Sequence, residues 1–128
     1  MEKVCRFEDL TCWKKARELR KLLYQLADDL PQYEQFKLAS QIRSAASSIT
    51  ANIAEGYGRF NFQEKIYFAS IARASTLESE DHLYTCLDAR YIDQLKFDLL
   101  YRACEEVSIA INGYIGFMLD QKKLYQMP

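Results

Sequence analysis

The chain has 128 residues and a formal net charge of -1 at pH 7, so it is long enough for one domain with a sizeable core. Its four Gly and two Pro are too few for the many tight turns of an all-β fold, which favours helices. The composition also lacks the globally basic character of many nucleic-acid-binding proteins.

The four cysteines have neither CxxC spacing nor partner histidines at the spacing of a zinc site. The sequence shows no signal-peptide pattern and no apolar run of transmembrane length. We therefore expect a cytoplasmic protein with reduced thiols, in which Cys86 and Cys104 are small core residues.

The first two helices are predicted over about residues 10–30 and 33–55. Asp9 is a favourable N-cap for the first helix, Pro31 ends it, and Gly56 is expected to be the left-handed C-terminal cap of the second. Steps of three and four define one apolar face of the first helix: Leu10, Trp13, Ala16, Leu19, Leu23, Leu26 and Leu30. The same steps define a face of the second: Leu38, Ile42, Ala45, Ile49 and Ile53.

The other two helices are predicted over about residues 62–89 and 93–121, and residues 122–128 are expected to fray. The third buries Ile66, Phe68, Ala69, Ile71, Ala72, Leu83 and Leu87. The fourth buries Leu95, Leu99, Leu100, Ala103, Val107, Ile111, Ile115 and Met118. Because the connections are short, consecutive helices should be antiparallel. The sequence thus predicts one all-α domain over residues 1–128, an antiparallel up-down-up-down four-helix bundle.

Polar residues follow one line beside the apolar face of the second helix, and matching groups recur on the third. The second helix contributes Gln41, Ser48, Asn52 and Glu55, continuing toward Arg59, and the third contributes Ser75, Glu78 and His82. A polar line at the edge of a core needs partners, because an unpaired buried group costs about 1–3 kcal/mol. The line is interpreted as an interhelical hydrogen-bond network that fixes register; an active site or a partner interface are the alternatives.

The residues do not match the known patterns of helical enzymes. A di-iron bundle needs more Glu and His residues than this chain supplies with its single histidine, His82. Eight residues separate Arg73 from His82, which is too many for a compact Arg–His nuclease signature. There is no catalytic triad and no glycine-rich phosphate loop. We therefore predict no catalytic residues, no metal and no cofactor; an enzyme would require Glu55, Glu78 and His82 to converge in one pocket.

Two further sets of residues suggest interactions with partners. Gly113 and Gly116 lie inside the fourth helix, which indicates close approach of another helix, and Tyr101 and Tyr114 suit a subunit interface. Charge is uneven: residues 3–21 contain seven Lys or Arg against three acids. This basic segment is either a solvated helix face or a patch for phosphates. The candidate phosphate contacts are Lys14, Lys15, Arg17, Arg20 and Lys21, with Arg43 and Arg59 as secondary candidates.

Residues 41–49 and 52–59 closely resemble the signature of the bacterial 23S rRNA-intervening sequence protein family. The resemblance extends over about residues 7–118, through Phe7–Leu10, Trp13, Lys15, Ala16, Pro31, Glu34, Leu38 and, in the third helix, Phe68, Ile71, Ala72, Ser75, Leu77, Glu78 and Glu80. It implies a four-helix bundle. Members are encoded within insertions in large-subunit ribosomal RNA genes or stand alone. Relatives that serve diversity-generating reverse transcriptases form ring-like pentamers and bind nucleic acid.

Together these observations predict a non-enzymatic homo-oligomer, pentameric by resemblance, that acts as a scaffold or a weak RNA-binding module. The alternative is a protein-interaction module with no role in nucleic-acid binding. No membrane association is expected.

Overall fold

The computed structural model describes residues 4–127 and contains, within that range, helices and no strand. The four long helices are α1 (Thr11–Asp29), α2 (Leu38–Tyr57), α3 (Phe62–Asp88) and α4 (Gln94–Gln126). Two short 3-10 turns, Phe7–Asp9 and Gln32–Glu34, precede α1 and α2. The predicted all-α fold is confirmed. None of the helices in the described range is both long and apolar enough to cross a membrane.

Each helix packs against two neighbours: α2 on α1 and α3, and α4 on α3 and α1. Paired residues run in opposite directions, since Arg20 meets Thr50 whereas Asp28 meets Arg43. The core lies between the four helices and contains the predicted apolar lines of α1 and α2, in which Trp13 alone is only partly buried. Burial of these side chains, of which each Leu or Ile contributes about 1.5–3 kcal/mol, holds the bundle together.

The start of α1 differs from the prediction. Asp9 is not its N-cap; that position is Leu10, which has no side-chain oxygen. The Asp9 carboxylate instead accepts hydrogen bonds from the backbone amides of Cys5 and Arg6, at 3.1 Å each, within the preceding turn. The N-terminal caps of α3 and α4 follow the expected chemistry: Asn61 accepts from the amide of Glu64 and Asp93 from that of Lys96, both at 2.8 Å.

The second helix begins at Leu38, five residues after the predicted start. Gln35 lies in the connection because its side-chain amide donates to the carbonyls of Ala27 and Leu30, at 2.9 and 3.0 Å. These carbonyls lie at the C-terminal end of α1, where the helix supplies too few N–H groups, although Ala27 also accepts from the Leu30 amide at 3.2 Å. The connection therefore caps α1 instead of starting α2.

The prediction that Gly56 is a left-handed cap is wrong. Gly56 lies inside α2, and no glycine in the described chain has a positive φ. The helix ends at Tyr57, two residues after the predicted end, with Gly58 at its C-cap. A left-handed residue does occur between α3 and α4, where Arg90 has a φ of 63° and lets the amide of Tyr91 donate to the carbonyl of Cys86 at 2.8 Å.

The fourth helix is longer than predicted and presents a different face at its start. It continues to Gln126, so residues 122–126, expected to fray, are helical, whereas Pro128 lies outside the described residues. Leu95 and Leu99 were predicted to be buried but are 77% and 56% exposed. Phe97, which was not predicted, takes a core position instead, whereas Leu100 is buried as predicted.

Candidate functional site

Ser48 and Ser75 join α2 to α3 by a hydrogen bond at the edge of the core. Their hydroxyl oxygens are 2.8 Å apart, and Ser75 is buried. The Asn52 side-chain amide donates to the Ser48 hydroxyl at 2.9 Å and to the Ser48 carbonyl at 2.8 Å. Because Ser48 accepts from Asn52, its own proton is available for Ser75. The three side chains form a short hydrogen-bonded relay that holds α2 and α3 in one register.

The other residues of the polar line do not join this relay. Gln41 is exposed, and Glu55 binds Arg59 at 2.6 Å on the same side of α2. On α3, His82 is buried and its Nε2 lies 3.1 Å from an oxygen of Glu78, one turn away. The line predicted as one network is therefore three separate groups.

The carboxylates and the histidine needed for an enzyme do not converge. Gly56, beside Glu55, packs against Phe68, and Glu78 lies ten residues beyond Phe68 along α3. At about 1.5 Å per residue, Glu55 and Glu78 are separated by about 15 Å along the bundle. Residues 4–127 also contain no group of three His, Cys, Asp or Glu that could hold a metal ion.

Three of the four thiols are buried, and none of these three is suited to act as a nucleophile. Burial raises the pKa of Cys12 and of Cys104 to about 12 and that of Cys86 to about 11. A thiol nucleophile reacts as the thiolate, which these values make negligible at neutral pH. Cys5 is exposed. The core positions predicted for Cys86 and Cys104 are confirmed.

The basic residues of α1 divide into an exposed group and a tethered group. Lys14, Lys15, Arg17 and Lys21 are exposed; Lys21 pairs with Glu18 at 3.1 Å and Arg17 stacks over the Trp13 ring at 5.8 Å. Arg20 is partly buried and donates to the Thr50 hydroxyl at 2.9 Å. The exposed group leaves cationic side chains along the outer face of α1, whereas Arg20 serves the contact with α2.

The two secondary candidates also have structural partners. Arg43 donates to Asp28 at 2.8 Å and to the Gln35 side chain at 2.9 Å, which braces the α1–α2 connection. The Arg59 guanidinium binds Glu55 and lies over the Phe68 ring, 4.6 Å from its centroid. Both arginines therefore make contacts within the chain and do not extend the cationic outer face of α1.

A second apolar line on α4, which the sequence reasoning missed, faces away from the core. Its members, here called the outward stripe, are Leu95, Leu99, Ile109, Phe117 and Leu124, which are 77, 56, 70, 52 and 60% exposed. Their spacings of 4, 10, 8 and 7 residues are close to whole helical turns, so the five share one side of α4. The spacing carries this signal, but spacing alone does not distinguish an exposed apolar line from a buried one, and Leu95 and Leu99 were therefore predicted to face the core.

The interface candidates lie in different surroundings. A Cβ added at Gly113 or Gly116 would meet nothing within 4 Å, so no helix of the described chain approaches either glycine closely. Tyr101 stacks on Phe97, with ring centroids 5.3 Å apart, and also contacts Tyr84. Tyr114 is partly buried against the core.

The fold and the site define an all-α bundle with a polar seam between α2 and α3. Residues 8–113 match the model of the 23S rRNA-intervening sequence protein family. The chain belongs to this family.

A solved structure with the same fold is that of a protein of unknown function from the S23 ribosomal protein family of Bacteroides thetaiotaomicron. It superposes with a TM-score of 0.76 at 22% sequence identity and covers 82% of this chain and 98% of its own. At this identity the likeness concerns the fold alone. No protein with a curated description matches the sequence.

Proposed function

We propose that the protein is a non-enzymatic scaffold in which copies of the chain associate through the outward stripe of α4. The observation that carries this proposal is that five large apolar side chains, each more than half exposed, share one side of one helix. Large exposed apolar side chains aligned on one side of a helix are typical of protein–protein interfaces. The family resemblance suggests five copies arranged as a ring.

The composition of the stripe favours helix-on-helix packing. Gly113 lies between Ile109 and Phe117 on the same side, where the missing side chain would let a neighbouring helix approach. Arg102, Glu106 and Asp120 interrupt the apolar line and offer both signs of charge to a second copy. Charged residues interspersed with apolar anchors fix the register of packed helices.

Light scattering of the purified chain tests the association. A ring of five copies of the 15.0 kDa chain has a mass of about 75 kDa. Ile109→Lys places a charge in the middle of the stripe and is expected to release the single chain. Phe36→Lys is the matched control, because Phe36 is 91% exposed but lies in the connection between α1 and α2. A wild-type protein that stays at 15 kDa at micromolar concentration contradicts the proposal.

For the nucleic-acid role, we propose that the exposed basic side chains of α1 bind RNA phosphates weakly. Packing supports this, since α1 contacts α2 and α4 but not α3, which leaves its basic side outside the bundle. Phosphate contacts release counterions, so the affinity should fall steeply between about 50 and 200 mM salt.

Filter binding of a structured RNA at both salt concentrations tests this part. A triple variant on the outer face of α1, in which Lys15, Arg17 and Lys21 are replaced by Gln, should retain less RNA. Its RNA binding should also depend less steeply on the salt concentration. The control variant replaces the same number of exposed basic residues on α3 and α4 by Gln, namely Arg73, Lys96 and Lys123. If no RNA is retained at low salt, the protein is an interaction module without a nucleic-acid role.

A further inference from the structure

A large open cavity lies at the end of the bundle where α1 and α3 begin and α2 and α4 end. Its volume is about 990 Å³, at the upper end of the range typical of small-molecule sites. The walls are mainly apolar and aromatic, with Phe62, Tyr114, Phe117 and Met118 among the contributors. The relay of Ser48 and Ser75 and the exposed bases of α1 lie outside this cavity.

Lys65 is the cationic residue of the cavity wall, and it forms no ion pair within residues 4–127. Its ammonium group donates to the carbonyl of Tyr57 at 2.7 Å and lies 5.3 Å from the Tyr57 ring centroid. Its two other N–H groups have no acceptor among residues 4–127. The acid of the wall, Asp9, already accepts from the amides of Cys5 and Arg6. Burial lowers the pKa of Lys65, and an anion beside it would raise that pKa again by favouring the charged form.

Tyr114 adds a neutral hydrogen-bond donor to the same wall. Its side chain lines the cavity, and its hydroxyl has no hydrogen-bond partner among the described residues. Burial raises the pKa of Tyr114 to about 12, with Cys12 and Tyr57 adding to the effect, so the phenol stays protonated at physiological pH. Besides the Asp9 carboxylate, which is already hydrogen-bonded, the cavity thus combines an apolar body, one cation and a phenol.

Gly113 keeps the cavity open. It contributes to the wall, and a Cβ at this position would point into empty space. A glycine inside a helix costs about 1 kcal/mol relative to alanine, and packing within the chain does not require one here. The absent side chain enlarges the space available to a ligand.

We propose that this cavity binds an apolar small molecule that carries a single carboxylate. The carboxylate pairs with the Lys65 ammonium and the Tyr114 hydroxyl, and the apolar body lies against Phe62, Phe117 and Met118. A single carboxylate is favoured over a phosphate ester because the wall offers one cation and much apolar surface. A cationic ligand would face Lys65 unpaired.

Isothermal titration calorimetry with naphthoate and its neutral analogue naphthamide tests the proposal. Naphthoate should bind the wild-type chain saturably and at least about tenfold more tightly than naphthamide, because it adds a charge-assisted hydrogen bond. Lys65→Met should reduce the naphthoate affinity to the level of naphthamide and leave naphthamide binding unchanged. Absence of saturable binding by the wild type, or equal naphthoate affinity in Lys65→Met, overturns the proposal.

Gly113→Trp should fill the cavity and abolish binding of both compounds. Gly116→Trp is the matched control, since it adds the same side chain to the same helix at a glycine outside the cavity wall. The outward stripe and the cavity wall share Phe117, so Ile109→Lys, at a stripe residue outside the wall, tests whether binding depends on the self-association proposed above. Binding should survive in both controls; its loss in Ile109→Lys, or its survival in Gly113→Trp, contradicts a cavity within one chain.

Discussion

A methyl group added at Gly56 is predicted to disturb the packing of α2 on α3. A Cβ there would lie 2.8 Å from the Phe68 Cβ and 3.1 Å from the Lys65 carbonyl oxygen. Neither atom is the end of a flexible side chain, so α2 and α3 must move apart. Overpacking of this kind costs about 1–3 kcal/mol, while alanine gains about 0.5–1 kcal/mol in a helix interior. Gly56→Ala should therefore lower the free energy of unfolding by about 0.5–2 kcal/mol.

The same substitution at Gly116 should have the opposite sign. A Cβ at Gly116 meets nothing within 4 Å, so the helix-propensity gain of about 0.5–1 kcal/mol is not offset. Urea unfolding followed by circular dichroism, at one fixed protein concentration, compares the two variants. If Gly56→Ala is as stable as the wild type, the inference that α2 and α3 are closely packed at this point is wrong.

Two further predictions concern the serine pair and the buried thiols. Ser48→Ala and Ser75→Ala should each destabilise the bundle by about 1 kcal/mol, and the double variant should cost less than their sum; additive costs would show that the pair is not coupled. Cys12 and Cys104 have pKa values raised by burial from 9.0 to about 12. Their contribution to stability is complete below pH 9 and is lost between pH 9 and 12, where the unfolded chain releases protons that the folded chain retains. Unfolding titrations across this range check it, and Cys104→Ala should show a shallower loss than the wild type.

Local sequence determined most of the helical framework. The steps of three and four in α1 and α2 mark a single apolar face, so helix type and buried side follow from the pattern alone. Pro31 excludes helical conformation at Leu30, and α1 ends at Asp29 as a result. Asn61 and Asp93 similarly define where α3 and α4 begin.

The residues of the polar line could be predicted from the sequence, but their division into separate hydrogen-bonded groups could not. Ser48 and Ser75 are joined because they occupy the same level of two packed helices. Glu55 and Glu78 have equally suitable spacing within their own helices, yet they lie at different levels of the bundle. Spacing along a helix carries no information on how far a neighbouring helix is displaced, and this displacement decided which side chains meet.

Tertiary packing decided the remaining features of the chain. The start of α4 has apolar residues on two sides, so periodicity does not distinguish Leu95 from Phe97 as the core residue. The positions of α3 and α1 decide that Phe97 is the buried one. Gly56 is compatible by sequence with either a left-handed cap or a close helix contact, and the presence of Phe68 opposite it makes it a contact. Sequence thus determined which segments are helical, whereas the neighbouring helices determined which of their faces are buried.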